Sequence, residues 1–151
     1  MLPGLWYNFL VFFLVVVFGV VLGLIFSTIR LNTNIAVRAI ATFYIGLFRN
    51  APEYVTLVWF LYVPALLLSK LLESNVTFDP LVVAVMALSL SAGAFYAEIF
   101  RAGILSVPKG QIEAARATGM SRTLTLRRII LPQAIRQMLP EFFNECISVF
   151  K

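Results

Sequence analysis

The chain has 151 residues, 61% of them apolar and 13% charged, with a formal net charge of +5. A soluble domain of this length has too little interior to hide so much apolar side chain, so lipid is the expected solvent, and no room is left for a separate catalytic domain. One cysteine, Cys146, and no histidine exclude a disulfide framework and a Cys/His metal site, so neither metal nor cofactor is expected.

Phe9 to Ile29 carries no charge and is long enough to cross the hydrocarbon as a helix, which makes 9–29 the first expected span. It has no basic head and is too long for a signal-peptide core. Gly19 and Gly23 lie four apart on one face, where another helix can approach closely. Arg30 and Arg38 follow without an acidic neighbour, placing this loop in the cytoplasm and the N-terminus outside. Such gathering of basic residues between apolar segments speaks against nucleic acid as a partner.

Ala39 to Phe48 is apolar again, and Arg49-Asn50-Ala51-Pro52-Glu53 then interrupts it. Proline lacks a backbone donor and disfavours helix at the preceding residue, which predicts a break near Ala51. A second span is expected over 53–69 and a third over 81–100, with the polar segment from Lys70 to Pro80 outside. Trp59, Phe60 and Tyr62 read as interface belt or bundle packing. Glu98 and Arg101 stand three apart and are expected to pair at the inner boundary; Arg49 and Glu53 have the spacing of a second pair.

Residues 101–136 hold seven basic side chains and one acid, Glu113, which assigns this stretch to the cytoplasm. Within it Gly119 can take the left-handed conformation that ends a helix and Ser121 can cap the next, so 106–132 reads as helix, sharp turn, helix. Small Ala114 and Ala115 let another surface come close to the first of these helices. An amphipathic basic loop resting on lipid phosphates is the alternative for the arginines taken singly.

A fourth span is expected over 138–151, although hydropathy alone does not identify it. Asn144, Ser148 and Lys151 fall on one helical stripe near Glu141 and Glu145. Ionisable groups inside a span face a bundle interior or a polar pathway by default, so Asn144, Glu145 and Ser148 are the candidate lining of a substrate path. Bonds to neighbouring helices are the competing role. A helix from Gln137 to Lys151 reaches only about 22 Å of a roughly 30 Å core. A lysine and a carboxylate would end in lipid, so a further helix is expected beyond Lys151.

Glu113-Ala114-Ala115, Gly119, Ile129 and Leu131-Pro132 have the spacing of the EAA loop of ABC importer permeases, which this stretch resembles. Leu88 to Gly119, Leu47 to Pro52 and Leu139 to Lys151 are similar to segments of the polar amino-acid uptake branch. Asn50-Ala51, Glu53 and Thr56 depart from that branch's usual residues and bear on specificity rather than fold. The resemblance implies an all-α membrane protein with the transmembrane domain of a type I ABC importer, about four of five expected transmembrane helices and cytoplasmic coupling helices. It further implies that Glu113, Ala114, Ala115, Gly119, Ile129, Leu131 and Pro132 couple to separate ABC ATPase subunits, and that an extracytoplasmic amino-acid-binding protein and a second permease subunit are partners in a bacterial inner membrane. The chain itself has no P-loop and is expected to hydrolyse nothing. Arg49 and Pro52 are candidates for a gate hinge. A small secondary carrier or channel working without ATP is the alternative from another class.

Overall fold

The computed structural model describes residues 2–150, with side chains from Gly4 onward; Lys151, the end of the expected polar stripe, lies outside the described residues. In chain order the helices are α1 (Leu2–Arg30), α2 (Ile35–Asn50), α3 (Glu53–Leu72), α4 (Pro80–Leu105), α5 (Lys109–Ala117), α6 (Arg122–Thr125) and α7 (Leu131–Phe150), with a π-helical turn, Leu126–Ile130, between the last two. No strand occurs among the described residues.

Helices α1, α3 and α4 contain the expected stretches 9–29, 53–69 and 81–100, and each is long and apolar enough to cross a membrane. Local chemistry sets their ends. Asn34 starts α2 by accepting a hydrogen bond from the Ala36 N–H. Asp79 starts α4 in the same way, accepting from Leu81 and Val82, with Pro80 in the first turn, where its missing N–H is harmless. The apolar stretch before Arg49 is a 16-residue helix, α2. Ala51 and Pro52 are both extended, so the chain breaks between α2 and α3 where the proline predicts it.

The last helix differs from expectation at its start. It begins at Leu131 rather than near 138 and runs through Pro140. Proline forfeits one backbone bond there, a defect that long membrane helices absorb when neighbours pack around it. At 20 residues, α7 is about 30 Å long.

Helix α4 is central, packing most extensively on α1 and also on α2, α3 and α7. Small residues make this possible: Ser91, Ala92, Gly93, Ala94 and Ala97 are all buried along it. On the facing helix Gly19 and Gly23 lie against Tyr96, so close that a Cβ on Gly23 would stand 2.6 Å from the Tyr96 Cβ. Tyr96 is fully buried in a core with Val15, Ala92 and Phe100. Phe142, Cys146 and Val149 of α7 close that core at i, i+4 and i+7. The single cysteine is a half-buried packing residue, its Sγ 3.5 Å from the Tyr96 hydroxyl. By contrast α3 leaves Trp59, Tyr62, Leu66 and Leu71 exposed, which suits lipid or a further protein helix but not water.

Candidate functional site

Two features stand out, an elbow at one end of the bundle and a charged cleft inside it. The elbow is α5, a turn, and α6. Helix α5 ends with the Met120 N–H donating to the Ala115 carbonyl (3.1 Å) and the Gly119 N–H to that of Arg116 (2.9 Å), the paired bonds of a Schellman closure. That closure puts the donor of the second bond in the left-handed region, and Gly119 has φ +82°. No atom lies within 4 Å of where its Cβ would be; glycine is required here by the backbone and not by space. Ser121 then caps α6, its Oγ accepting from the Leu124 N–H.

Ala115 is buried against the rest of the elbow, while Glu113 and Ala114 are exposed on the outer side of α5. Ile129 is half-buried; Leu131 and Pro132 are exposed at the start of α7. The π-helical turn falls directly before Pro132 and closes with the Leu131 N–H donating to the Leu126 carbonyl. A proline ring crowds the carbonyl four residues back, and the wider turn relieves that crowding. Gln133 donates from Nε2 to the Gln111 side-chain oxygen (2.6 Å) and to the Ile129 carbonyl (3.1 Å). This clasp ties α5 to α7, and nothing in the sequence spacing announces it.

The cleft is built around Glu98 of α4. Its carboxylate pairs with Arg30 at the end of α1 and takes two hydrogen bonds from Arg101 (3.0 and 3.1 Å), with Arg49 at 4.0 Å. The Glu98–Arg101 pair is as the spacing predicts. The Arg49–Glu53 pair does not form, because extended Ala51 and Pro52 destroy the helical turn it needs. Arg49 instead sits over the Phe95 ring, 5.5 Å from its centroid, a favourable place for a cation.

Of the expected path residues, Glu145 is half-buried and within Coulombic range of Glu53 and Arg49. Glu141 lines a cleft of about 480 Å³ together with Arg49 and Glu98. Asn144 and Ser148 are exposed farther round α7, on a face no other part of the described chain covers. Pro52 is exposed at the α2–α3 break. The structure thus brings Arg49, Glu141 and Glu145 to one region, and leaves Asn144 and Ser148 at its edge. Arg30 was missed by sequence reasoning; its only signal was a basic residue closing an apolar helix.

A polytopic helical bundle with ionisable groups turned inward and a stiff elbow at one end is the architecture of a membrane transport subunit. Residues 15–151 match the binding-protein-dependent transport system inner membrane component family, and the chain belongs to it. The permease relationship read from the Glu113–Pro132 spacing is borne out at the level of that family. Among curated relatives, the arginine transport system permease protein ArgU of Corynebacterium glutamicum is 39% identical over 89% of this chain and 45% of its own length. The L-cystine transport system permease protein TcyB of Bacillus subtilis is 40% identical over 98% of this chain and 60% of its own. A crystal structure described as an amino acid ABC transporter with histidines superposes with a TM-score of 0.81 at 32% identity, covering 95% of this chain and 64% of that one. The chain therefore spans about half to two thirds of the length of the proteins it matches.

Proposed function

We propose that this chain forms one half of the membrane path of an ATP-driven importer for a polar amino acid. An extracytoplasmic binding protein delivers the amino acid, a second permease subunit completes the path, and separate ATPase subunits grip the elbow. The N-terminus faces outside and α5–α6 the cytoplasm, an orientation supported by the basic residues of the elbow. Glu113, Ala114, Ala115, Gly119, Ile129, Leu131 and Pro132 couple the chain to the ATPase, with Glu113 and Ala114 on the outer surface and Gly119 at the turn. Glu145, with Asn144 and Ser148 beside it, lines the path, and the Arg49–Pro52 break serves as gate hinge.

The observation that carries this reading is the elbow, where the spaced motif coincides with a helix, a positive-φ glycine and a capped second helix. Its exposed side offers small Ala114 and charged Glu113, a surface that fits a shallow cleft on another protein. The Gln111–Gln133 clasp gives motion of that elbow a route into α7.

The test is uptake of a panel of the twenty proteinogenic L-amino acids and L-cystine by the full-length permease assembled with its partners in proteoliposomes. Glu113→Lys and Gly119→Pro are expected to abolish ATP-dependent uptake while membrane insertion stays normal. A crosslinker at Ala114→Cys is expected to capture an ATPase subunit. Uptake that persists without ATP, or in both variants, would sink the importer reading in favour of a carrier or channel.

A further inference from the structure

The stretch between Glu113 and Glu141 holds five arginines and no acid. Every ion pair among the described residues converges on Glu98, so Arg122, Arg127, Arg128 and Arg136, all exposed, pair with no acid of the described chain. They stand on α6, on the π-helical turn and on the first turns of α7, one unbroken run of helical backbone. Like charges gathered in this way repel one another, and an anion from outside the chain relieves that repulsion.

Arg136 heads a face that the fold leaves bare. Leu139, Phe143, Ile147 and Phe150 follow it at i+3, i+7, i+11 and i+14, the spacing of one helical face, and all four are exposed. At the far end the Phe150 ring leans on Phe9 and Phe12 of α1, with centroids 5.5 and 5.2 Å apart. The face that packs on the core, through Met138, Phe142, Cys146 and Val149, is a different one. Asn144 and Ser148 come one residue after Phe143 and Ile147 and are turned about 100° away from them. The stripe is thus separate from the proposed path.

Its residues suit lipid better than a further helix. The most extensive helix contact in this chain, α1 on α4, is made through small side chains, Gly19, Gly23, Ala92 and Gly93, as close approach of backbones requires. The stripe carries only bulky side chains, against which an acyl chain can lie. Its depth matches as well: from Leu139 to Phe150 the helix rises about 16 Å, and one leaflet of hydrocarbon is about 15 Å deep. Arg136, one turn earlier, then stands at headgroup level, where its long stem brings the charge to the phosphates.

Four arginines just ahead of a membrane helix on the cytoplasmic side complement the charge of anionic lipid. We propose that this face binds an anionic phospholipid of the cytoplasmic leaflet, its phosphate on Arg136 and one acyl chain along Leu139, Phe143 and Ile147. Arg127 and Arg128 on the π-helical turn add attraction for its charge. The bound lipid steadies the junction at which the elbow joins α7. This takes its cytoplasmic side from the orientation proposed above, and nothing in it depends on the cargo.

The test uses the full-length permease assembled with its partners in nanodiscs of equal parts phosphatidylglycerol and phosphatidylcholine. A benzophenone amino acid replaces Phe143, and mass spectrometry identifies the photo-adduct. Phosphatidylglycerol is expected to be captured about fivefold more often than phosphatidylcholine, the worth of about one basic side chain near a membrane surface. The same group in place of Phe13, exposed on α1, is expected to capture the two lipids equally. Arg136→Gln is expected to remove the preference at Phe143 and Arg136→Lys to keep most of it. High salt is expected to erode it in the otherwise unmodified chain, a readout that does not require the arginine variant to fold. Equal capture at Phe143, or an equal preference at Phe13, overturns the proposal. Adducts to protein in place of lipid show that a helix covers the stripe and overturn it too. So does loss of the preference on adding inorganic phosphate at constant ionic strength, which marks a site for the free anion. Loss of the ATPase from Arg136→Gln with the lipid preference intact makes the ATPase the partner of Arg136, with the same consequence. None of these outcomes is read through transport, so this proposal can fail while the importer reading stands, and absence of uptake by the unmodified protein overturns the importer reading alone.

Discussion

Glu98 shows how much can hang on one side chain in a low-dielectric setting. Three arginines share it, and its side chain is 16% exposed. Removing a single arginine leaves the carboxylate with a partner, whereas removing the carboxylate strands several cations together. Truncating one partner of a buried pair costs about 3 to 5 kcal/mol, mostly through the charge left behind. Glu98→Gln is therefore expected to lower the detergent melting temperature of the purified protein clearly more than Arg101→Gln does. Equal shifts for the two would mean that the cluster acts as separate pairs. Only the Glu98–Arg101 part was legible beforehand, since it lies within one helical turn. Arg30 and Arg49 reach Glu98 from other helices, and no local pattern encodes a meeting across such separations.

At the scale of elements the sequence was readable wherever the cause is local. Gly119, Ser121 and Pro52 each dictate a backbone event within a few residues of themselves, and each event occurs where expected. The start of α7 was not readable, because Pro140 signals a stop that packing against α4 overrides. The close contact of α1 and α4 follows from the Gly19/Gly23 face, and its tightness can be measured. Gly23→Leu places side-chain atoms where the Tyr96 Cβ already stands 2.6 Å from a Cβ position, and overpacking of this kind costs typically 1–3 kcal/mol, roughly. A lower midpoint in SDS unfolding is expected for Gly23→Leu, with little change for Gly46→Leu, whose Cβ position is open. The Gln111–Gln133 clasp sets a functional prediction at the same scale. Gln133→Ala is expected to reduce uptake per ATP hydrolysed while leaving ATPase binding intact. Adding Gln111→Ala should then have little further effect, because the two residues form one interaction; additive losses would show that they act independently.

For the whole molecule the decisive quantity is orientation, since the elbow can be gripped from the cytoplasm only if it lies there. The seven basic residues between 101 and 136 face one acid, while the loop between α3 and α4 carries Glu73 and Asp79 with no basic residue after Lys70. Lys and Arg are retained on the cytoplasmic side far more strongly than acids are on either side, and this contrast is what supports the proposed sense of insertion. The length of α4, whose 26 residues extend about 39 Å, is enough to carry the chain from the α3–α4 loop to the elbow in one crossing, so the two lie on opposite sides of the bilayer. In intact cells, Ser74→Cys is expected to react with a membrane-impermeant maleimide, and Arg122→Cys only after the membrane is opened, both in a Cys146→Ala background. Labelling of Arg122→Cys in sealed cells would invert the topology, place Arg49 near the opposite mouth of the bundle, and leave the elbow with no access to ATP-hydrolysing partners.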